Sequence, residues 1–137
     1  MKPNSFIKYL LILVLFAEMS CEKTVFDPSF TFGKESAFRL NQIYYSSDGQ
    51  YSFLINKISD SRCPEGAMCI WQGEITVNGE WIEKKSKTNI VLHSVMSALQ
   101  KEPDGFTFQI IDAKPHPILG TESKPEDLVL NLLIKGK

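Results

Sequence analysis

The sequence contains few residues of the kinds that carry catalysis, metal binding or nucleic-acid binding. Only two histidines and three cysteines occur among its 137 residues, too few for the four-ligand sets of structural zinc sites once two cysteines are paired. The 15 basic residues are balanced by 16 acidic ones, with neither a basic stripe nor an acidic tail. We therefore expect no metal, no other cofactor and no nucleic-acid partner.

Internal repeats and long apolar runs are also absent, apart from one run near the N-terminus. Residues 9–17 are apolar without interruption, but a helix needs about 20 such residues to span a bilayer. The run follows Lys2 and Lys8, and the small residue Ser20 comes shortly after it. A basic start, a short apolar run and a small residue before the cleavage point together form an export signal.

Cys21 follows Ser20 directly, and this N-terminus resembles that of bacterial lipoproteins. The resemblance implies that the signal peptide, residues 1–20, is removed and that Cys21 is lipidated. The protein would then stay anchored in the bacterial cell envelope, which we expect to mean the outer membrane. Lipidation of Cys21 also leaves Cys63 and Cys69 as a pair in place of an odd thiol. The alternative is a secretory signal followed by an unmodified cysteine.

The rest of the chain is divided into a tether and one domain. Residues 21–30 are predicted to form the tether, because Pro28 disfavours regular structure there, and residues 31–137 are predicted to form a single domain. Short runs rich in β-forming residues recur along the domain, and no helical period is sustained. The predicted strands are 37–45, 51–58, 75–82, 88–93, 106–111 and 128–134.

Strands this short predict an all-β fold, an antiparallel two-layer sandwich (immunoglobulin-like) of about six to eight strands. A small closed barrel is the alternative. Asn78-Gly79 is the dipeptide preferred in two-residue hairpin loops and predicts a turn there. The segment 128–134 is too apolar for a half-exposed edge strand, so we expect it to be central in its sheet. Lys84 and Lys85 belong to the only basic cluster, which we expect in a solvated turn.

One motif stands out against this background. It has two halves separated by four other residues, and the halves read Asp60-Ser61-Arg62-Cys63-Pro64 and Cys69-Ile70-Trp71-Gln72-Gly73. Here the chain resembles an uncharacterised group of bacterial exported lipoproteins that share this pattern between two strands of a small β-domain. A later Pro-x-Pro, formed here by Pro115 and Pro117, belongs to the same resemblance. The resemblance implies a β-domain and an envelope location, but no activity.

The residues of the motif favour a small covalent loop. Cys63 and Cys69 are expected to form a disulfide in an oxidising compartment, and Pro64 and Gly66 bend the chain between them. Because the closed loop is short, the expected stabilisation is about 2 kcal/mol. Trp71 is predicted to be buried beside the disulfide, since strand parity would place it on the same face as Cys69.

The remaining motif residues are assigned supporting roles. Asp60 and Arg62 are expected to pair with each other or to bond the backbone of the loop. Gly73 is expected at a bend or a close packing contact before the next strand.

Three chemical alternatives and one binding alternative are weaker. Structural zinc ligands usually lie two to four residues apart, and redox-active pairs are usually Cys-x-x-Cys, so the cysteine spacing favours neither. A hydrolytic triad of Asp60, Ser61 and His93 would need two sequence neighbours to converge on one site. Exposed aromatic residues could form a ligand platform, but aromatic residues of sandwiches are mostly core; the residues concerned are Tyr44, Tyr45, Tyr51 and Trp81.

The sequence thus predicts a lipid-anchored envelope protein without catalytic residues. Its domain is expected to act as a binding or structural accessory, attached to the membrane through its N-terminal lipid, with an envelope protein or a glycan as its partner. The alternative is an envelope enzyme or inhibitor that acts through an unidentified loop site. Convergent polar groups in an open cleft around Asp60, Arg62 and Glu74 would favour that alternative.

Overall fold

The computed structural model describes residues 28–136, which form eight strands and two short 3₁₀ turns. The signal peptide, Cys21 and most of the predicted tether lie outside the described residues. Within them, no helix is long and apolar enough to cross a membrane. The strands are β1 (Ser29–Phe30), β2 (Glu35–Phe38), β3 (Ile43–Ser46), β4 (Tyr51–Asp60), β5 (Ile75–Glu83), β6 (Ser86–His93), β7 (Phe106–Lys114) and β8 (Val129–Gly136).

The strands form two sheets that pack face to face. The larger sheet has the order β1-β3-β4-β5-β6, and the smaller one has the order β2-β8-β7. All neighbouring strands are antiparallel except β1 and β3, which are parallel. The predicted all-β two-layer sandwich is therefore confirmed. The central position predicted for the last strand is also confirmed, since β8 pairs with both β2 and β7.

The core lies between the sheets and follows from the alternation of side chains along each strand. In β8 the buried residues are Leu130, Leu132 and Ile134, while the intervening residues are only partly buried. In β5 the inward positions include Val77 and Trp81. Both sheets thus contribute one apolar face, and the burial of these faces is the main force that holds the layers together.

Asn78-Gly79 does not form the predicted turn, because β5 runs straight through it. A Cβ atom on Gly79 would lie 2.6 Å from the carbonyl oxygen of Leu54 and 2.7 Å from the ring of Phe53. Glycine at this position therefore serves close packing across the sheet and not a change of chain direction. The hairpin turn lies instead at Lys84 and Lys85, where Lys84 has a φ of 54°.

Two other boundaries differ from the prediction. The predicted strand 37–45 is two strands, β2 and β3, because the chain crosses from the smaller sheet to the larger one at Asn41, whose φ is 58°. The predicted tether extended to residue 30, but Ser29 and Phe30 form β1 and Phe30 is buried in the core. These last two residues of the predicted tether belong to the domain.

Strand directions place three connections at one end of the sandwich. β4, β6 and β7 run toward this end, and β5 and β8 start from it. We call this the loop end and define it as segments 61–74, 94–100 and 115–128. The opposite end carries the polar turns 47–50 and 84–85. The motif identified in the sequence lies at the loop end.

Candidate functional site

The first half of the site is the loop closed by Cys63 and Cys69. Their sulfur atoms are bonded, and their Cα atoms are 5.9 Å apart. The predicted disulfide is therefore confirmed. Pro64 and Gly66 lie inside the closed loop, and Gly66 has a φ of 85°, a conformation that a residue with a side chain rarely adopts. The two cysteines are six residues apart in sequence, and the loop between them belongs to neither sheet.

Arg62 joins this loop to the connection between β7 and β8. Its guanidinium forms a bidentate ion pair with Asp60, with nitrogen–oxygen distances of 2.9 and 2.7 Å. It also donates hydrogen bonds to the carbonyl oxygens of Ala113, at 2.7 Å, and Pro115, at 3.0 Å. Both charged side chains are largely buried, with exposed fractions of 13% for Arg62 and 9% for Asp60. Arg62 is therefore a structural tie between two segments of the loop end.

His116 extends the same network. Nδ1 of His116 lies 3.3 Å from the guanidinium of Arg62, and Nε2 lies 3.0 Å from the carbonyl oxygen of Cys63. Arg62 can only donate, so in the neutral ring Nδ1 accepts and Nε2 carries the hydrogen that is donated to Cys63. Glu65 forms a bridge with Ile118 in the same region. The cystine loop is thus attached to the Pro115–Pro117 segment through Cys63 and Glu65.

The Asp60 carboxyl group is held in its charged form. Burial raises its pKa, but the side-chain and backbone hydrogen bonds from Arg62, together with the charge of Arg62, outweigh burial and lower the pKa below its ordinary value. A buried carboxylate with this pairing is a poor proton donor or acceptor. Its electrostatics suit it for holding Arg62 and not for acid–base chemistry.

Glu74 makes the corresponding connection to segment 94–100. Its carboxylate accepts hydrogen bonds from the backbone N–H of Met96, at 3.2 Å, and from Nδ1 of His93, at 3.2 Å. Burial raises the pKa of Glu74, but these bonds outweigh it and lower the pKa overall. Ser61 closes the base of the motif, since its hydroxyl donates to the carbonyl oxygen of Glu74 at 2.9 Å.

Gly73 lies where two chain segments come too close for any side chain. Its φ is 72°, and a Cβ atom would be placed 1.8 Å from the carbonyl oxygen of Ser61. Every other residue would have to displace the backbone. This close approach lets the chain leave the cystine loop and enter β5 directly.

The predicted burial of Trp71 is wrong. Its side chain is 52% exposed, and neighbouring Ile70 is fully exposed. The prediction assumed that Cys69 and Trp71 belong to a strand, but β5 begins only at Ile75. Because the loop projects beyond the ends of both sheets, no core surface lies beneath Trp71. The alternation of side chains along a strand therefore does not determine the burial of Trp71.

Exposed apolar side chains are concentrated on the same loops. Met68 and Ile70 are as exposed as in an extended peptide. Large apolar residues are also exposed in the other two segments of the loop end: Val95, Met96, Leu99, Ile118 and Leu119. Sequence reasoning assigned these residues no role. The signal that could have found them is apolar residues lying among Pro, Gly and polar residues, where no strand alternation accounts for them.

The structure does not bring together the residues of the alternative catalytic and metal sites. Ser61 bonds to the backbone at Glu74, His93 pairs with the Glu74 carboxylate, and Asp60 pairs with Arg62. These three residues therefore have separate partners and do not form a triad. Within residues 28–136, no group of three or more His, Cys, Asp or Glu side chains could hold a metal ion.

The aromatic residues considered for an alternative ligand platform are mostly in the core. Tyr44 and Trp81 are buried, and Tyr51 stacks on Trp81 at a ring-centroid distance of 5.3 Å at the end opposite the loops. Only Tyr45 is well exposed among the four aromatic residues considered. The aromatic residues thus contribute mainly to packing.

Comparison with known proteins identifies no relative: no family model, no curated protein and no solved structure matches the chain significantly.

Proposed function

We propose that this protein is a lipid-anchored lipoprotein of the bacterial cell envelope, held in the outer membrane, whose domain acts as a non-catalytic binding or structural accessory. The loop end is its contact surface. The observation that carries this proposal is the full exposure of Met68 and Ile70 on a loop closed by a disulfide. Apolar side chains that are fully exposed on a covalently closed loop suit contact with another surface.

The polar groups of the motif support an accessory role over an enzymatic one. Arg62 donates hydrogen bonds to the Asp60 carboxylate and to two backbone carbonyl oxygens. Glu74 is bonded to a backbone amide and to His93. An enzyme would need some of these groups to be directed into a cleft that a substrate can enter. A cavity of about 240 Å³ lies beside Asp60 and is lined also by Pro117 and Ser123, but the Asp60 carboxylate is paired with Arg62 and is not free to act on a substrate there.

The anchor is proposed from the N-terminal sequence. The basic start, the apolar run 9–17 and the Ser20-Cys21 pair are the features of a lipoprotein signal, and the observed disulfide leaves Cys21 as the one remaining cysteine of the three. The mature protein should begin at Cys21 with acyl groups attached. The intact mass of protein extracted from membranes by detergent tests this. Membrane fractionation of a Cys21→Ser protein that matched the wild type would contradict it.

Site-specific photo-crosslinking in the native envelope tests the contact surface. A photoreactive residue placed at Ile70 should form crosslinks to an envelope component. The same residue at Ile43, an exposed position of β3 away from the loop end, should form few. Equal crosslinking at both positions, or none at Ile70, would contradict the assignment of the loop end as the contact surface.

A further inference from the structure

Exposed apolar residues have a strongly one-sided distribution in this domain. Among the described residues, all exposed large apolar side chains lie in the three segments of the loop end except Ile43, Tyr45 and Ile111. The turns at the opposite end, 47–50 and 84–85, consist of polar or charged residues and glycine. The exposed large apolar side chains are therefore concentrated at one end of the domain along the strand direction, the loop end.

The backbone of the loop end is held in place by covalent and polar bonds. The disulfide closes the loop that carries Met68, and Arg62 ties that loop to the β7–β8 connection. Glu74 ties its base to segment 94–100. These connections hold the backbone of the loops in the arrangement that leaves Met68 and Ile70 in solvent.

We propose that the loop end inserts its apolar side chains into the surface of the lipid bilayer that holds the anchor on Cys21. This inference rests on the lipidation of Cys21 in the proposed function. It adds that the domain docks on the membrane in one orientation, with the strands upright and the cystine loop at the level of the lipid headgroups. Trp, Ile, Leu and Met side chains on a rigid loop suit this region, and Trp favours it in particular.

The direction of the chain at the start of the domain supports this orientation. β1 is parallel to β3, and β3 is antiparallel to β4, whose last residue is Asp60 at the loop end. β1 therefore runs away from the loop end, so Ser29 is at the end of β1 that is nearer to the loop end.

The length of the chain before β1 fits the same orientation. Ser29 is level with Tyr45, which pairs with Ser52 in β4. From Ser52 to Asp60 the strand rises about 26 Å, at roughly 3.3 Å per residue. An extended chain from Ser29 back to Cys21 spans at most about 28 Å. The anchor can therefore reach about the level of Asp60, where β4 ends and the loop end begins.

The charges of the loop end favour an apolar contact over an electrostatic one. Its exposed titratable residues outside the ion pairs described above are mostly acidic, with one lysine: Glu65, Glu122, Lys124, Glu126 and Asp127. They supply no basic patch to attract anionic lipid. Salt screens the repulsion between these acidic residues and anionic lipid, so docking should not weaken at high salt.

Trp71 provides a direct test, since the chain has only two tryptophans and Trp81 is 2% exposed. Full-length lipidated protein is reconstituted into vesicles of phosphatidylethanolamine and phosphatidylglycerol, with or without lipid brominated near the headgroup end of its acyl chains. The Trp71 emission is obtained by subtracting that of a Trp71→Phe protein. Brominated lipid should lower it roughly twofold or more, because bromine quenches only at contact and interfacial Trp lies at this depth. High salt should not reverse the quenching.

Matched variants separate the contact from the anchor. A Met68→Ser/Ile70→Ser protein should lose most of the quenching, whereas Ile43→Ser should keep it. Circular dichroism should show that all variants remain folded. If the protein floats with vesicles but Trp71 emission is unaffected by brominated lipid, the inference is overturned while the anchor stands; crosslinking of position 70 to a protein would identify that other partner. If the protein does not float with vesicles, the anchor itself fails and the inference fails with it.

Discussion

Replacing Arg62 by methionine removes the guanidinium that holds the loop end together. The methionine side chain retains much of the apolar stem of arginine, so the change removes mainly the polar contacts. Those contacts are two bonds to the Asp60 carboxylate and one each to the carbonyl oxygens of Ala113 and Pro115. The bond to Nδ1 of His116 is also lost.

The expected cost is large because Asp60 is left behind as a charge that is only 9% exposed. Removing one member of a buried ion pair typically costs about 3–5 kcal/mol. Both side chains of this pair keep some contact with solvent, so we expect the lower end of that range, about 3 kcal/mol. For a domain of this size the melting temperature should fall by roughly 12 °C, at about 4 °C per kcal/mol.

Urea unfolding of the Arg62→Met protein, with Asp60→Asn and the double variant, measures this cost and the coupling between the two residues. The coupling energy should exceed about 1 kcal/mol. Lys87→Met is the matched control, because the ion pair of Lys87 with Glu80 at 3.2 Å is on the surface, with Lys87 65% exposed; it should cost less than about 0.5 kcal/mol. An Arg62→Met protein as stable as the Lys87→Met protein would refute the assignment of Arg62 as the structural tie.

Three further outcomes are expected. Cys63→Ser should lower the free energy of unfolding by about 2 kcal/mol, the value for a short closed loop, and thiol reduction of the wild type should have the same effect in calorimetry. Gly73→Ala should destabilise the protein by more than about 3 kcal/mol or prevent folding, because the Cβ of the alanine would overlap the backbone of Ser61. Gly49→Ala is the control, since Gly49 has a similar φ but no atom lies within 4 Å of the added Cβ; it should cost about 1 kcal/mol. Asp60 and Glu74 have lowered pKa values in the folded protein, so their contribution is present above their ordinary pKa values of 3.8 and 4.5 and is lost as the pH falls further. Urea midpoints should therefore decrease on acidification below about pH 4.5, and a midpoint that stayed constant to lower pH would contradict the pairing of these carboxylates.

The strands that the sequence predicts correctly are those with regular alternation. Leu128, Leu130, Leu132 and Ile134 share one face, and β8 has the buried positions that this pattern implies. Such a pattern depends only on local geometry and on burial of one face. The two-layer fold follows from several strands of this kind, which is why the fold class could be inferred without knowledge of the pairing.

The failures have a different physical origin. Asn78-Gly79 has the composition of a turn, but Gly79 is required by Phe53 and Leu54 on the neighbouring strand. The sequence contains no local sign of that contact, because it depends on which strands become neighbours. The same limit applies to Arg62, whose acceptors at Ala113 and Pro115 are more than 50 residues away in sequence. Long-range pairing, and not local propensity, decided these positions.

The motif depends both on local composition, which can be read from the sequence, and on long-range packing, which cannot. The pairing of its cysteines could be inferred from the number of cysteines in the chain and from the oxidising compartment, and the disulfide is present. The environment of Trp71 could not be inferred in this way, because burial depends on what lies beneath a residue and not on its hydrophobicity. An export signal and a cysteine pair predict a stable loop, but they do not predict which side chains that loop presents.

Stability and contact are carried by different side chains at the loop end, and this separation makes the membrane inference testable. Asp60, Arg62 and Gly73 lie beneath the loop and hold its backbone, whereas Met68 and Ile70 touch almost nothing in the domain. Replacing an apolar residue that is already in water costs the folded state little, since the unfolded chain exposes it equally. Polar substitutions at Met68 and Ile70 should therefore leave the melting temperature within about 2 °C of the wild type, consistent with surface changes of less than about 0.5 kcal/mol. A large fall in melting temperature would mean that these side chains are packed inside the domain, and the loop could not then serve as a contact surface.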